Sequence, residues 1–524
     1  MRTARGRMGL WYGLAFAAIG TIAGTTGAQT REPYPGLDAY IAKAIQTWNV
    51  PGMSVAIVRH DSVIYAKGFG VLGVTNRAPV NEQTLFEIGS STKAFTATLA
   101  AMLVSDGKMH WDDRITSYLP DFRLYDAVAN EAVTMRDALS HRSGIARGEF
   151  IFLGAGISRD EVVHRVRFLK PESPFRSKWS YQNIMYVTAG QAVGKAAGSN
   201  WDDLIRERIF KPLAMTTSAT NYRGLVNENL AQPHRMDHDS PLAQARLDGE
   251  SIAPAGSILS SAADMAQWLR FQLNDGVVNG KHLLSSPALR ETHTPQMLMT
   301  GGAGAGAAGD TLPPVTHFNT YGMGWMVQDF RGQLVWQHGG NTLGMTAAVG
   351  MMPEKKFGVV ILSNMQSAAL PELLRQYIFD RELGAPMRDW SRDAFTRSLA
   401  QRGRADSLEK AQATEHPVNA MPPLPLTAYA GTYADSLYGD ATVEIKNGHL
   451  ELTRGEWTAP LQYWNATNFR WSVPGSPAGP LFIKFEVAPD NAVTGMYFGI
   501  AGDVSLLSRK GGGRGGRGGR GGSI

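Results

Sequence analysis

Ser90 and Lys93 stand three residues apart at the head of FEIGSSTKAFTATLAAML, Phe86 to Leu103, in otherwise apolar or small company. On a helix that spacing puts both side chains on one face. At a first turn, free amides and the dipole also favour negative charge. A serine hydroxyl attacks carbonyls only when a neighbour takes its proton. A desolvated lysine, its pKa lowered, can take that proton or tune another base. Taken alone, the same pattern is equally an N-cap serine followed by a solvated first-turn lysine.

Two distant segments add candidates. KWSYQNIMYVTAG, Lys178 to Gly190, offers Tyr181 and Asn183 just ahead of a helical pattern. A phenol beside amines can ionise and serve as general base, and an amide two residues on can hold a lysine or a substrate carbonyl. LVWQHGGNTLGM, Leu334 to Met345, carries His338, Gly339 and Gly340 at the end of a strand-like run. Paired glycines let a strand edge approach a ligand closely. The backbone amide of Asn341, together with that of Ser90, suits a developing oxyanion. Without each other, the two segments read as an aromatic-rich helix start and an ordinary strand-ending turn.

The elements that must position these residues follow from patterning. Leu37–Thr47 reads as an amphipathic helix, and Ser54–Val58 with Val63–Lys67 as a hairpin split by polar residues 60–62. Strand-like runs return at 324–328, 334–337, 346–351 and 358–362. Between the two groups helical patterns dominate, among them 135–139, 160–168, 184–195, 201–209 and 263–273. The last opens on Ser261 and Asp264, a capping-box-like start. Strands from both ends then form one antiparallel sheet with a helical lobe inserted, and a site falls in the crevice between the lobes. Past the proline-rich PVNAMPPLPL the texture changes to short strands at 442–446, 449–453, 461–464, 468–472, 481–487, 494–500 and 504–508. Asn447-Gly448 is a strong hairpin signal within them. This region reads as a small β-barrel or sandwich.

The order Ser90-Ser-Thr-Lys93, Tyr181-Gln-Asn183, His338-Gly-Gly340 resembles the three motifs of class C β-lactamases, penicillin-binding D,D-peptidases, D-aminopeptidases and related carboxylesterases. The flanks MRDALSHRSGI, IFKPLAM, IAPAGSILSSAADMAQWL and MMPEKKFGVVILSN are similar too, so the resemblance runs from Leu37 to Leu383. The C-terminal LTAYAGTYADSLYGDATVEI looks like the lipocalin-like domain fused to such hydrolases. The resemblance implies an α/β fold of the β-lactamase/transpeptidase kind, followed by a small all-β barrel. It implies that Ser90 forms an acyl-enzyme and that Lys93 and Tyr181 share the proton work, with Tyr181 as base and later acid. Asn183 would orient Lys93 and the substrate amide, and His338, Gly339, Gly340 and Asn341 would line the substrate. One departure stands out. The third motif usually starts with Lys, which holds a substrate carboxylate, whereas here it starts with His338. A histidine is neutral for much of the time near pH 7, so its grip on an anion is weaker and pH-dependent. That departure favours peptides or esters over β-lactams.

Composition limits the alternatives. With 524 residues, 43% hydrophobic and 19% charged, the chain has material for two or three folded domains. It has no cysteine, which removes disulfides, thiolate metal sites and a cysteine nucleophile. The first 28 residues run basic (Arg2, Arg5, Arg7), then apolar, then small, the order of a secretory signal. The end, from Arg509, is a glycine-rich cationic tail. Removing the eight basic residues of these two ends turns a net +5 into −3, so the body carries no global nucleic-acid signature. Gly301–Gly309 lacks the Lys-Ser/Thr of a phosphate cradle. His234 and His238 have a helix-compatible metal spacing, but Pro233 and the acids around them suggest a loop. His141 in SHRSGI matches a structural turn of the family, and no Gly-x-Ser-x-Gly elbow occurs. Trp457, Tyr463, Trp464 and Trp471 read as barrel core or a contact surface.

The expected organisation is a signal peptide over 1–28, a hydrolase domain over 29–390 and a helical and proline-rich linker over 391–425. A lipocalin-like domain follows over 426–508, then an Arg/Gly-rich tail over 509–524. The expected function is a periplasmic or secreted serine hydrolase needing no cofactor and no metal. Its substrates would be short or unusual peptides, with D-residues or linearised from cyclic peptides such as microcystin-type toxins. A carboxylesterase, a β-lactamase or D,D-carboxypeptidase, and a non-catalytic binder of peptidoglycan fragments are the alternatives. The partner is a small peptide or ester, not a nucleic acid. No transmembrane segment is expected after signal removal, and an oligomer is left open.

Overall fold

The computed structural model describes residues 32–246, 249–299, 315–401, 421–474, 480–500 and 503–510. The expected signal segment, the run Gly301–Gly309, most of the linker and the tail beyond Lys510 lie outside them.

The first unit is built on an eight-stranded antiparallel sheet. Its strands are β1 (Gly52–Arg59), β2 (Ser62–Gly70), β3 (Met297–Leu298), β4 (Asn319–Tyr321), β5 (Met326–Phe330), β6 (Gln333–Asn341), β7 (Thr346–Met352) and β8 (Phe357–Ser363). The order β2-β1-β8-β7-β6-β5-β4-β3 pairs the two ends of the unit through β1 and β8, with Val55 opposite Ile361. β1 turns into β2 through His60 and Asp61, both at positive φ (47° and 64°), the tight turn whose twist suits a hairpin. The far edge runs past the expected strands to β4 and β3, which are three and two residues long, too short to show a period in sequence.

Both faces of the sheet are covered, so β1, β7 and β8 are buried nearly end to end. Alternation decides the partner. Val55 and Ile57 join the core with Leu37 and Ile41 of α1 (Leu37–Thr47) and Leu374 and Ile378 of a late helix, Leu370–Leu383. Ala56 and Val58 face the core containing Met265 and Leu269 of the helix Ala262–Leu273. That helix keeps only half of its expected box. Ser261 accepts from the Asp264 amide, but the Asp264 carboxylate turns to the amides and hydroxyls of Thr217 and Ser218. The helical lobe lies between β2 and β3, as the patterning implied.

The second unit is a closed antiparallel barrel of β9 (Gly431–Asp435), β10 (Gly439–Lys446), β11 (His449–Arg454), β12 (Trp457–Asn465), β13 (Asn468–Trp471), β14 (Leu481–Val487), β15 (Val493–Ile500) and β16 (Asp503–Arg509). Each strand pairs with the next, and β9 closes on β16 at Tyr433 with Arg509. Closure removes the sheet edges that would otherwise recruit other chains. Asn447-Gly448 makes the predicted tight turn, at φ 50° and 80°. Trp457 and Trp471 are buried in the barrel, whereas Tyr463 and Trp464 stay partly exposed.

His234 is a correction. PHRMDH forms a strand, His234–Asp237, of a two-stranded hairpin instead of a loop. The buried imidazole accepts from the Val74 amide (3.1 Å) and stands 2.9 Å from the Asn364 carbonyl, which fixes its proton on Nδ1. His238 falls in the turn at positive φ. Among the described residues no group of three His, Asp or Glu is placed to hold a metal ion.

Candidate active site

The site grows from α2 (Thr92–Ser105), whose residues from Thr92 to Leu103 are all buried. A helix apolar nearly all round belongs inside a core, and its three threonine hydroxyls each find a partner there. Thr92 accepts from the Ile258 amide and Thr98 from Gln272, both at 3.2 Å. Thr96 donates to the Pro254 carbonyl (2.7 Å) and accepts from Trp201. Ser90 is not an N-cap. A one-turn 3₁₀ segment, Gly89–Ser91, precedes α2, and no side chain caps either start. The Ser90 hydroxyl is therefore left to the cleft.

Three groups converge there. Lys93 Nζ lies 3.0 Å from Ser90 Oγ, and the Tyr181 hydroxyl lies 2.6 Å from the same oxygen. Lys93 also donates to Asn183 Oδ1 (2.6 Å) and to the Ala255 carbonyl (2.8 Å). Tyr181 and Asn183 flank the start of α3 (Asn183–Ala197), and His141 holds that start. Its Nδ1 accepts from the Gln182 amide (3.1 Å), and its ring packs 4.5 Å from the Tyr181 ring. On the opposite wall, the end of β6 lies directly against residues 88–90. A Cβ on Gly340 would meet the Ile88 oxygen at 1.8 Å, and one on Gly89 the Asn341 nitrogen at 2.7 Å. Only glycines permit that approach, which brings the Ser90 and Asn341 segments side by side.

Burial sets the charges. Lys93 is fully buried, and desolvation holds its amine well below the ordinary value. Glu149 pulls it back up and Arg147 pushes it further down. Burial raises the Tyr181 phenol above its ordinary value, with the Ser90 hydrogen bond opposing. His338 is buried, and desolvation followed by the charge of Lys93 pushes it down to about 3. Its Nδ1 sits 2.6 Å from the Gly339 carbonyl, so Nδ1 carries the proton and Nε2 accepts from the Tyr321 hydroxyl at 3.0 Å. Both ring nitrogens are engaged. The pH-dependent grip on an anion expected of His338 has no charged form to carry it near neutrality.

These groups open on a cleft of about 1100 Å³ lined by Ser90, Trp179, Tyr181, Asn183, His338 and, from the barrel, Glu456. The sequence did not point to Glu149, Ala255 or Tyr321. Ala255 acts through a backbone carbonyl, and the other two lie in segments without a distinctive spacing.

Residues 37–382 match the Beta-lactamase family model, and the chain belongs to this family of serine hydrolases. Residues 415–506 match a domain of unknown function, DUF3471. An unguisins hydrolase of Aspergillus violaceofuscus is 29% identical over 444 residues, 79% of this chain and 77% of that protein. Penicillin-binding protein 4 of Amycolatopsis lactamdurans is 29% identical over 60% of this chain and 81% of its own length. The octameric penicillin-binding protein homologue from Pyrococcus abyssi shares the fold, with a TM-score of 0.60 at 21% identity, covering 90% of this chain and 98% of that one. No helix among the described residues is long and apolar enough to cross a membrane.

Proposed function

We propose that this chain is an exported serine peptidase that cleaves amide bonds in short or unusual peptides through an acyl-enzyme at Ser90. The observation that carries the reading is the meeting of Ser90 Oγ with Lys93 Nζ at 3.0 Å and Tyr181 Oη at 2.6 Å on the floor of the cleft. A neutral amine has two N–H donors and one lone pair. Asn183 Oδ1 and the Ala255 carbonyl take the two donors, which leaves the lone pair facing Ser90. Lys93 is accordingly the base, and the raised pKa of Tyr181 keeps its phenol protonated at rest. This reverses the order of roles that the family resemblance implied for the two.

The step runs as an addition and an elimination. Ser90 gives its proton to Lys93 while Oγ bonds to the carbonyl carbon, and the oxygen takes up negative charge against the amides of Ser90 and Asn341. Lys93, through the Tyr181 hydroxyl, returns the proton to the leaving amine as the C–N bond breaks. Water then attacks the ester carbon, giving a proton to Lys93; the C–Oγ bond breaks, Lys93 passes that proton to Ser90 Oγ, and the carboxylic acid product leaves.

Two features favour peptides. The cleft, at about 1100 Å³, exceeds what a short acyl ester fills, and the Aspergillus violaceofuscus relative is a hydrolase named for unguisins. A carboxylesterase is the second reading. A neutral, fully bonded His338 asks for no substrate carboxylate, which also weakens the case for β-lactams. The basic, apolar, small order of residues 1–28 supports export. The test is a panel of L- and D-containing peptides and short esters offered to wild type and Ser90→Ala, read by mass spectrometry. An acyl adduct on Ser90 and peptide cleavage lost in the variant are expected. Equal turnover by both proteins sinks the reading.

A further inference from the structure

Asn183 poses a problem that the catalytic groups alone do not solve. Its amide has a donor end and an acceptor end of the same size. Were Nδ2 turned to Lys93, it would donate into the amine's lone pair and remove the base from Ser90. Glu149 settles the orientation. Both its carboxylate oxygens accept from Asn183 Nδ2, at 3.3 and 3.2 Å, and a carboxylate has no proton to offer in return. Oδ1 is thereby committed to Lys93. Arg147 balances the carboxylate from the outer side at 2.9 Å.

Glu149 opens a single 3₁₀ turn, Glu149–Ile151, too short to hold itself. The barrel holds it. Arg454, the last residue of β11, reaches across the domain boundary to the carbonyls of Phe150 and Leu153 (3.1 Å to the latter) while also meeting the Tyr438 carbonyl. The Phe150 ring stands edge-on to Tyr438, Trp457 and Phe498 of the barrel. Gly154, at φ 63°, lies under Trp457, where an added Cβ would fall 2.3 Å from the indole. Its carbonyl accepts from the Glu456 amide at 2.7 Å. Arg454 is 2% exposed and meets no carboxylate at ion-pair distance among the described residues. A buried guanidinium is a costly way to gain stability alone, and here its two terminal nitrogens donate to backbone oxygens while Nε is buried without a partner.

Resting on the reading of Ser90 and Lys93 above, we propose that Glu149 is a positioning residue that fixes the Asn183 amide so that the Lys93 lone pair stays on Ser90. We propose further that the barrel, through Arg454, holds Glu149 in place. The barrel is then part of the catalytic apparatus without touching the reacting atoms.

The test uses the full chain and a fluorophosphonate probe, with the rate of Ser90 adduct formation followed from pH 5 to 10. The groups around Lys93 are Tyr181, Tyr186, Tyr321, His141, His338, Arg147 and Glu149. Burial raises the phenols and lowers the imidazoles, so the acid limb reads Lys93. Glu149→Ala is expected to lower the plateau about 10- to 100-fold. Glu149→Gln, which keeps an acceptor and loses the charge, should stay within about threefold of wild type at the plateau. Its acid limb should move to lower pH, because Glu149 favours the protonated amine. A purely structural role would not separate plateau from limb. Arg454→Met should lower the plateau, and the Glu149→Ala/Arg454→Met double variant should be no slower than Glu149→Ala alone. Arg454→Lys, which keeps the charge but cannot span three carbonyls, replaces it should the methionine variant not fold. An unmoved limb in Glu149→Gln, or a double variant whose losses multiply, overturns the proposal. A wild type that forms no Ser90 adduct overturns the nucleophile itself, a result distinguishable from the other two.

Discussion

Lys93 on the cleft floor and Arg454 in the barrel are both buried, at 0% and 2% exposure, and neither meets a carboxylate at ion-pair distance among the described residues. Burial acts on them differently. The lysine's pKa falls well below its ordinary value, whereas the guanidinium comes down only to about 10 and keeps its charge at neutrality. An amine can escape desolvation by releasing its proton, and what remains is a base. A guanidinium cannot, so it gathers carbonyls and becomes a clamp. The same low-dielectric surroundings thus yield chemistry in one domain and architecture in the other.

The largest effect should come from the nucleophile. Ser90→Ala is expected to cut turnover at least about 10⁴-fold with an unchanged circular dichroism spectrum; retained turnover would empty the cleft of its chemistry. Lys93→Arg puts the cation that cannot lose its proton where the base is needed. Activity should fall about 10³-fold, and a variant within tenfold of wild type would erase the contrast between the two sites. On the barrel side, Gly154→Ala sets a Cβ against Trp457 in a backbone conformation that suits glycine. A loss of about 1–3 kcal/mol is expected, read as a lower melting temperature.

The smallest effect sharpens the comparison through proton linkage. In the unfolded chain Lys93 binds its proton up to about 10.5, while in the fold it releases it at lower pH. Between those values the unfolded state holds more protons, so stability rises with pH and is lost towards acid. Lys93→Met should flatten that slope in melting temperature between pH 7 and 10. A slope identical to wild type would mean that the buried amine keeps its charge.

The site was partly legible because part of it is local. Ser90 and Lys93 lie three apart on one chain segment, and helical geometry alone brings them together. Tyr181, Asn183 and His338 could be joined to them only through the likeness of three ordered motifs, since no spacing relates residues 91 to 248 positions apart. Asn183, expected to hold Lys93, has its Oδ1 2.6 Å from the lysine Nζ. Glu149 carries no signal in the sequence because the role proposed for it rests on contacts of its neighbour Phe150 with a barrel residue some 300 positions later. In the fold, α1 and the helix at 135–139 had the bounds their patterns implied. β9 was missed because Gly431–Asp435 places only Tyr433 inside, leaving too little alternation to mark a strand.

By itself, the sequence determined which groups were available: a serine and a lysine on one turn, a phenol, paired glycines, no thiol, and the alternation that builds a sheet and a barrel. Only the tertiary structure decided what state those groups are in. It buried Lys93 so that desolvation holds its amine well below the ordinary value, closed His338 between Gly339 and Tyr321, and set Arg454 against the loop that carries Glu149. The reason is that protonation and orientation depend on solvent exclusion and on partners from distant segments, and neither exists until the chain has folded.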